Sequence, residues 1–216
     1  MPEPDHLFIC TAPGAPAAEL LTASGLTEGS PNRHPGQGTA CRRFFFGNAM
    51  LELLWLADPA EARLPHNQRL GLAERFHGPA SPFGIILRPG PSETPSSPFA
   101  SWPYRPPSMP DLIIDVAADT LTTEPLWFCL PAGRRPDEAP PERRQPLEHP
   151  AGFKEITRLH LFCPDLPPDS VTRRMANLGL LTLHPSTQHL LAIEFDGAKA
   201  KRQIDFRPHL PLLLNF

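Results

Sequence analysis

Apolar positions fall into short runs along the chain, and their period changes at recognisable turn residues. His6–Cys10 is a brief apolar run that reads as a strand. Over Ala15–Ser24, Ala17, Leu20 and Leu21 recur at helical spacing, and Gly25 closes the helix. Leu26–Ser30 reads as a brief strand and His34-Pro35-Gly36-Gln37-Gly38 as turn chemistry. Thr39–Phe46, rich in aromatics, and Met50–Leu56 then flank Gly47-Asn48, the pattern of a β-hairpin. The predicted order is β-α-β-β-β.

The C-terminal stretch repeats that order. Ile156–Cys163 reads as a strand, and Pro168–Leu178 as a helix that stops before Gly179. Leu180–His184, His189–Phe195 and Arg202–Arg207 follow as strands, with Asp196-Gly197 as a turn. Such a repeat changes the fold expectation, because one unit alone cannot cover its apolar face. Between the two units, Asp58–Pro150 predicts a helix over Gln68–Phe76 and strands over Phe83–Leu87, Leu112–Val116 and Leu126–Leu130. Two proline-rich loops, Pro89–Pro110 and Pro131–Pro150, accompany them, and the mixed charges of the second read as a solvated linker.

Composition narrows the function classes. The 216 residues carry a net charge of only −3, without the basic excess of a nucleic-acid binder. The 31 prolines and 14 glycines make about a fifth of the chain, below the roughly 25–30% that marks low complexity. No run approaches the length of a membrane span, and the acidic start does not read as a signal peptide. Cys10, Cys41, Cys129 and Cys163 stand apart without C-x-x-C spacing, which predicts reduced, buried thiols and a cytoplasmic protein. A G-x-S-x-G elbow is absent, and Gly36-x-Gly38 is no dinucleotide fingerprint, since it precedes a strand and lacks the third glycine.

Asp5-His6-Leu7-Phe8-Ile9, His34-Pro35-Gly36-Gln37-Gly38-Thr39, Arg42-Arg43-Phe44-Phe45-Phe46, Leu51-Glu52-Leu53-Leu54-Trp55 and Ser81-Pro82-Phe83-Gly84-Ile85 resemble the glyoxalase-like branch of the vicinal oxygen chelate superfamily. The resemblance is close over residues 5–90. It implies an α+β fold in which paired βαβββ modules form a cupped, barrel-like mixed sheet. Residues 1–216 would form a single glyoxalase-like domain, with modules at 5–57 and 154–216. Residues 58–153 would add the extra strands and proline-rich loops. A competing arrangement takes Phe83–Leu130 as the second module, but that stretch shows no helix pattern after its first strand.

The resemblance also implies a divalent metal in the cup, such as zinc, iron, manganese or nickel. His6 and Glu52 fall at two ligand positions, and Asp205 occupies in the second module the place of Glu52 in the first. The partner of His6 has two candidates. Counting back from Pro13 reaches His6, and the same count from Asp165 reaches Arg158. Matching His6-Leu7-Phe8 to His160-Leu161-Phe162 favours His160 instead. An arginine there would break the metal set and favour a carboxylate or phosphate ligand. The hairpin centred on Gly47-Asn48 also sets Arg43 opposite Glu52, about 5 Å apart at Cβ, as a cross-strand ion pair.

Two function classes follow. In the first, a metal-dependent lyase, isomerase or transferase polarises an oxygenated substrate, with His6, Glu52 and His160 or Asp205 on the metal and a bound water or carboxylate, Glu52 among them, shuttling protons. In the second, a metal-free cup lined by Phe45, Met50 and Leu54 holds a small molecule whose anionic end meets Arg43 or Arg158. Trp102 and Tyr104, on a proline-stiffened loop, would lid either cup. Both modules lie in one chain, so the expected state is a monomer or weak homodimer that binds a small molecule and neither nucleic acid nor membrane.

Overall fold

Leu7, Phe8 and Ile9 are successive and all buried, so β1 (Glu3–Cys10) has to lie inside a sheet covered on both faces. The computed structural model, which describes residues 1–91 and 95–216, places it there; the loop expected over 89–110 thus falls partly outside the described residues. After β1 come α1 (Ala18–Ala23), β2 (Asn32–His34) and the hairpin of β3 (Thr39–Phe45) and β4 (Met50–Leu56). The brief strand thus forms at 32–34 rather than over 26–30. β4 returns parallel to β1 with Glu52 beside Phe8, and Arg43 stands opposite Glu52 across the hairpin.

The expected helix over 68–76 is replaced by α2 (Pro59–Ala62), α3 (Pro65–Gln68) and a 3-10 turn over Ala73–Phe76. Pro59 and Pro65 each start a new first turn, and Gly71 at φ 57 breaks the run. β5 (Phe83–Arg88) then runs antiparallel to β1, followed by β6 (Ser101–Tyr104), β7 (Ile114–Ala117) and β8 (Leu126–Cys129). The resulting order is β2-β3-β4-β1-β5-β8-β7-β6. Outward from the central β1·β5 pair, both halves read alike. Each first strand lies parallel to its fourth, with the third and second beyond it.

A second, five-stranded sheet uses β9 (Ile156–Cys163), β10 (Thr182–Pro185), β11 (Leu190–Phe195), β12 (Gln203–Asp205) and β13 (Leu212–Asn215), ordered β10-β9-β11-β13-β12. α4 (Val171–Asn177) links β9 to β10, with the Ser170 hydroxyl capping its first turn. The strand expected over 202–207 is β12, and β13 is an addition. The protein is therefore α+β with two mixed sheets and few helices.

The sheets differ from the expected pairing of 5–57 with 154–216. β1 pairs with β5 of the middle segment, and the C-terminal sheet stacks behind. Residues at alternate positions explain this: Leu7, Ile9, Leu51, Leu53, Ile85 and Trp127 of the first sheet join Leu159, Leu161, Leu191, Ile193 and Leu214 of the second in one buried cluster. Among its described residues, the proline-rich stretch after β5 supplies no helix to cover that half of the sheet. α4 takes the place from outside the segment: Trp127 Nε1 donates to Thr172 Oγ1 at 3.0 Å, and Thr172 N donates to Glu124 Oε2 at 2.7 Å.

Barrel-like closure is also not formed, because the first sheet is open at β2 and β6. Side chains bring these edges together instead. Tyr104 Oη lies 3.0 Å from Asn67 Oδ1 and 3.3 Å from Gln37 Oε1. Pro107 sits on Gly36, at φ 78, where an added Cβ would come within 2.5 Å of the proline.

Candidate functional site

The even-numbered positions of β1, β4, β5 and β8 point away from the shared core. With Arg43 of β3, Leu70, Leu72 and the 106–112 loop they enclose a cavity of about 280 Å³. Its floor depends on one glycine: the Phe8 ring lies so close over Gly84 that an added Cβ would sit 2.0 Å from it. The lining is divided. The β1–β4 half contributes all the charged and histidine side chains, His6, His34, Arg43 and Glu52, with Asn32 and Gln37 beside apolar Phe8, Met50 and Leu54, whereas the β5–β8 half contributes Ile86, Ile114, Phe128, Leu130 and the Tyr104 phenol.

His6 Nδ1 is 2.7 Å from Asp5 Oδ1, so it donates to the carboxylate and leaves Nε2 on the cavity side. Burial alone lowers the His6 pKa, but the Asp5 hydrogen bond and the charges of Glu52 and Asp5 outweigh it and hold the ring above 6.5. Glu52 is only 5% exposed, and its one hydrogen bond among the described residues is from the Cys41 thiol at 3.5 Å. Burial, then the Glu52 charge, pushes the Cys41 thiol far up, so it is an inert, protonated donor. His34 is engaged at both nitrogens, with Thr39 Oγ1 at 2.9 Å and the Asn32 amide at 3.1 Å. Burial holds it neutral.

Arg43 does not form the expected ion pair with Glu52. Its guanidinium donates to Ser30 O at 2.8 Å and Ser30 Oγ at 2.9 Å, and lies 5.1 Å over the Phe45 ring. The reason is position: Glu52 faces the closed interior, while Arg43 reaches the rim, where its charge stays solvated. Phe45 itself lines a neighbouring open groove of about 550 Å³ beside the 132–145 loop, not the cavity. Tyr104 lines the cavity and burial pushes its phenol up to about 12, but it lies on β6 rather than in a loop. Trp102 of the same strand stacks under Arg69 at 4.5 Å, outside the lining.

The remaining expected residues lie on the second sheet. His160 and Arg158 share its outer face, and Asp205 pairs at the surface with Arg207 at 2.6 Å. None lines the cavity, because the stacking of the sheets turns that face away from it. His6 and Glu52 are thus two donors where a resident zinc takes three or four protein ligands. Among the described residues, no group of three His, Cys, Asp or Glu side chains is gathered to hold a metal. The four cysteines are free. Among those residues, no helix is long and apolar enough to cross a membrane.

Asn32, Gln37, Leu70, Leu72, Ile86 and Phe128 were not legible as site residues. β5 and β8 are buried throughout, so no local alternation names the face that lines the cavity; that needs the pairing of β1 with β5.

No family model matches the chain, and no curated protein matches it. Among solved structures, a hypothetical protein from Staphylococcus aureus, determined by crystallography, superposes with a TM-score of 0.51 at 10% identity. The match covers 100% of this chain and 99% of that one. A likeness at this identity speaks to the fold.

Proposed function

We propose that this chain is a glyoxalase-like protein of the vicinal oxygen chelate type, whose cup is built from residues 3–56 and 83–130 as paired modules and binds a small oxygenated or anionic metabolite. The matching strand orders on either side of the β1·β5 pair support the fold part of this reading. The divided cavity lining carries the functional part. A ligand with an apolar body would lie against Ile86, Phe128 and Leu130. Its oxygenated head would meet His6 Nε2 and Glu52, with Arg43 drawing an anionic end to the rim. His6, held by Asp5, donates when protonated and accepts when neutral, while the Glu52 carboxylate accepts; the pair is placed to move a proton on a bound hydroxyl or carbonyl compound.

One observation favours a second reading, a metal-dependent enzyme. A histidine oriented by a carboxylate on its far nitrogen is the arrangement that supports a metal ligand. His6 and Glu52 would hold such an ion, which would polarise a substrate oxygen. The donor set is short by at least one protein ligand, so the metal-free reading is preferred.

A thermal-shift screen of small hydroxy acids, phenols and keto acids tests the proposal, with metal analysis of untagged protein beside it. Expected are stabilising compounds whose effect is lost in Glu52→Gln and His6→Ala. A screen without such compounds, or one indifferent to both variants, overturns it. Stoichiometric metal lost in both variants would establish the second reading instead. Both halves of the cup lie in one chain, and light scattering is expected to return a monomer or weak dimer.

A further inference from the structure

The second sheet repeats the register that brings His6 and Glu52 together in the first. β9 and β10 run parallel with His184 beside Phe162, as β1 and β4 run parallel with Glu52 beside Phe8. His160 precedes Phe162 by the same interval that separates His6 from Phe8. β10 is an edge strand, so no strands corresponding to β2 and β3 wall this pair in. His160 Nδ1 and His184 Nε2 are 3.2 Å apart, and Phe162 stacks on His184 with a 4.5 Å centroid separation and a 16° interplanar angle. Both rings are half-buried.

We propose that His160 and His184 form an exchangeable two-histidine site for a divalent transition-metal ion of the zinc type, with two protein ligands rather than the three or four of a resident zinc, on the outer face of the second sheet and separate from the cavity. The spacing is the reason. Two imidazole nitrogens at about 2.0–2.1 Å from one ion stand roughly 2.9–3.4 Å apart, for bond angles between octahedral and tetrahedral. The rings are already at that separation, and the Phe162 stack limits how far His184 can swing away. In the free protein one ring donates an N–H to the other. Metal binding needs only that this ring carry its proton on the opposite nitrogen, so that both facing lone pairs are available and no net proton is lost. Arg158 and Glu194 are the charged groups that act on His160 from this face, and Glu194 Oε1 lies 4.0 Å from Arg158 Nε. Water would fill the remaining positions.

The test is a zinc titration of the untagged full chain against a chromophoric chelator. One equivalent is expected to bind, and His160→Ala and His184→Ala should each weaken it at least about tenfold, no less than the loss of a supporting partner costs elsewhere. His6→Ala and Glu52→Gln should leave this equivalent in place. Two equivalents, one removed by each pair of variants, would also support the proposal. No uptake by the wild-type chain, or uptake lost only with the cavity variants, would overturn it. His160→Gln and His184→Gln repeat the loss without deleting the side chain, and unchanged melting temperatures separate the effect from misfolding.

Discussion

At Glu52 a carboxylate is buried with the Cys41 thiol as its one hydrogen-bond donor among the described residues, an arrangement that costs stability once His6 is neutral and its charge no longer faces the carboxylate. Glu52→Gln is therefore expected to raise stability by about 1 kcal/mol, or roughly 2–4 °C in Tm for a chain of this size, while ligand binding falls. Calorimetry that shows a lower Tm would mean an unrecognised partner holds the carboxylate. Arg43→Met, at the rim, should change stability by no more than about 0.5 kcal/mol. His6 supplies a pH signature. Its folded pKa is raised above 6.5, so its contribution is fully present below that value and is lost as pH rises through the folded value. Asp5→Asn removes the main raising interaction. Its stability deficit relative to wild type should accordingly be larger at pH 6 than at pH 8, and NMR should show a lower His6 pKa. The sequence made His6 and Glu52 legible through motif resemblance, and Arg43 through hairpin register. Whether Arg43 and Glu52 touch depended on which one the rest of the chain enclosed.

The elements that fix the site are held by a few buried polar contacts. Thr172 both accepts from Trp127 and offers its N–H to Glu124, joining α4 to the back of β8. Thr172→Val keeps the shape but strands the fully buried indole N–H, and should cost about 1–3 kcal/mol in denaturant unfolding with a change in tryptophan emission. His149 plays a comparable part for the second proline-rich loop. Its Nδ1 accepts from Thr27 N at 2.9 Å and its Nε2 donates to Phe45 O at 2.9 Å. Burial lowers its pKa, against smaller raising effects from Phe45 O and Glu148. Its stabilisation is present above 6.5 and is lost as pH falls from there through the folded value. His149→Leu should cost about 1–3 kcal/mol at pH 8 and flatten the loss of stability on acidification. The first βαβββ unit was readable because its signals are local: a hairpin turn, a helix stop, alternation. β6 was missed inside a proline-rich stretch, since an edge strand tolerates proline that a central one would not.

Across the whole molecule, one apolar cluster takes side chains from both sheets. The side-chain amide of Asn48 both donates to Ile156 O at 2.7 Å and accepts from Ile156 N at 2.9 Å, which ties the first hairpin to β9. Unfolding should thus be a single transition by circular dichroism and by fluorescence. A fragment of residues 1–153, although it contains the entire cavity, should fail to fold cooperatively because the back of its sheet would be bare. A folded, ligand-binding fragment would contradict this. The sequence by itself determined most of the strand segments and that a βαβββ unit opens the chain. It also placed a strand, a helix and further strands at the end, because these depend on periodicity and turn chemistry within a few residues. Only the tertiary structure decided that β1 pairs with β5. It also decided that α4 covers the β5–β8 half of the first sheet from outside that segment, and that His160 faces outward instead of into the cup. Those choices rest on burying apolar faces from segments far apart in the chain, and no local pattern records which face will find which.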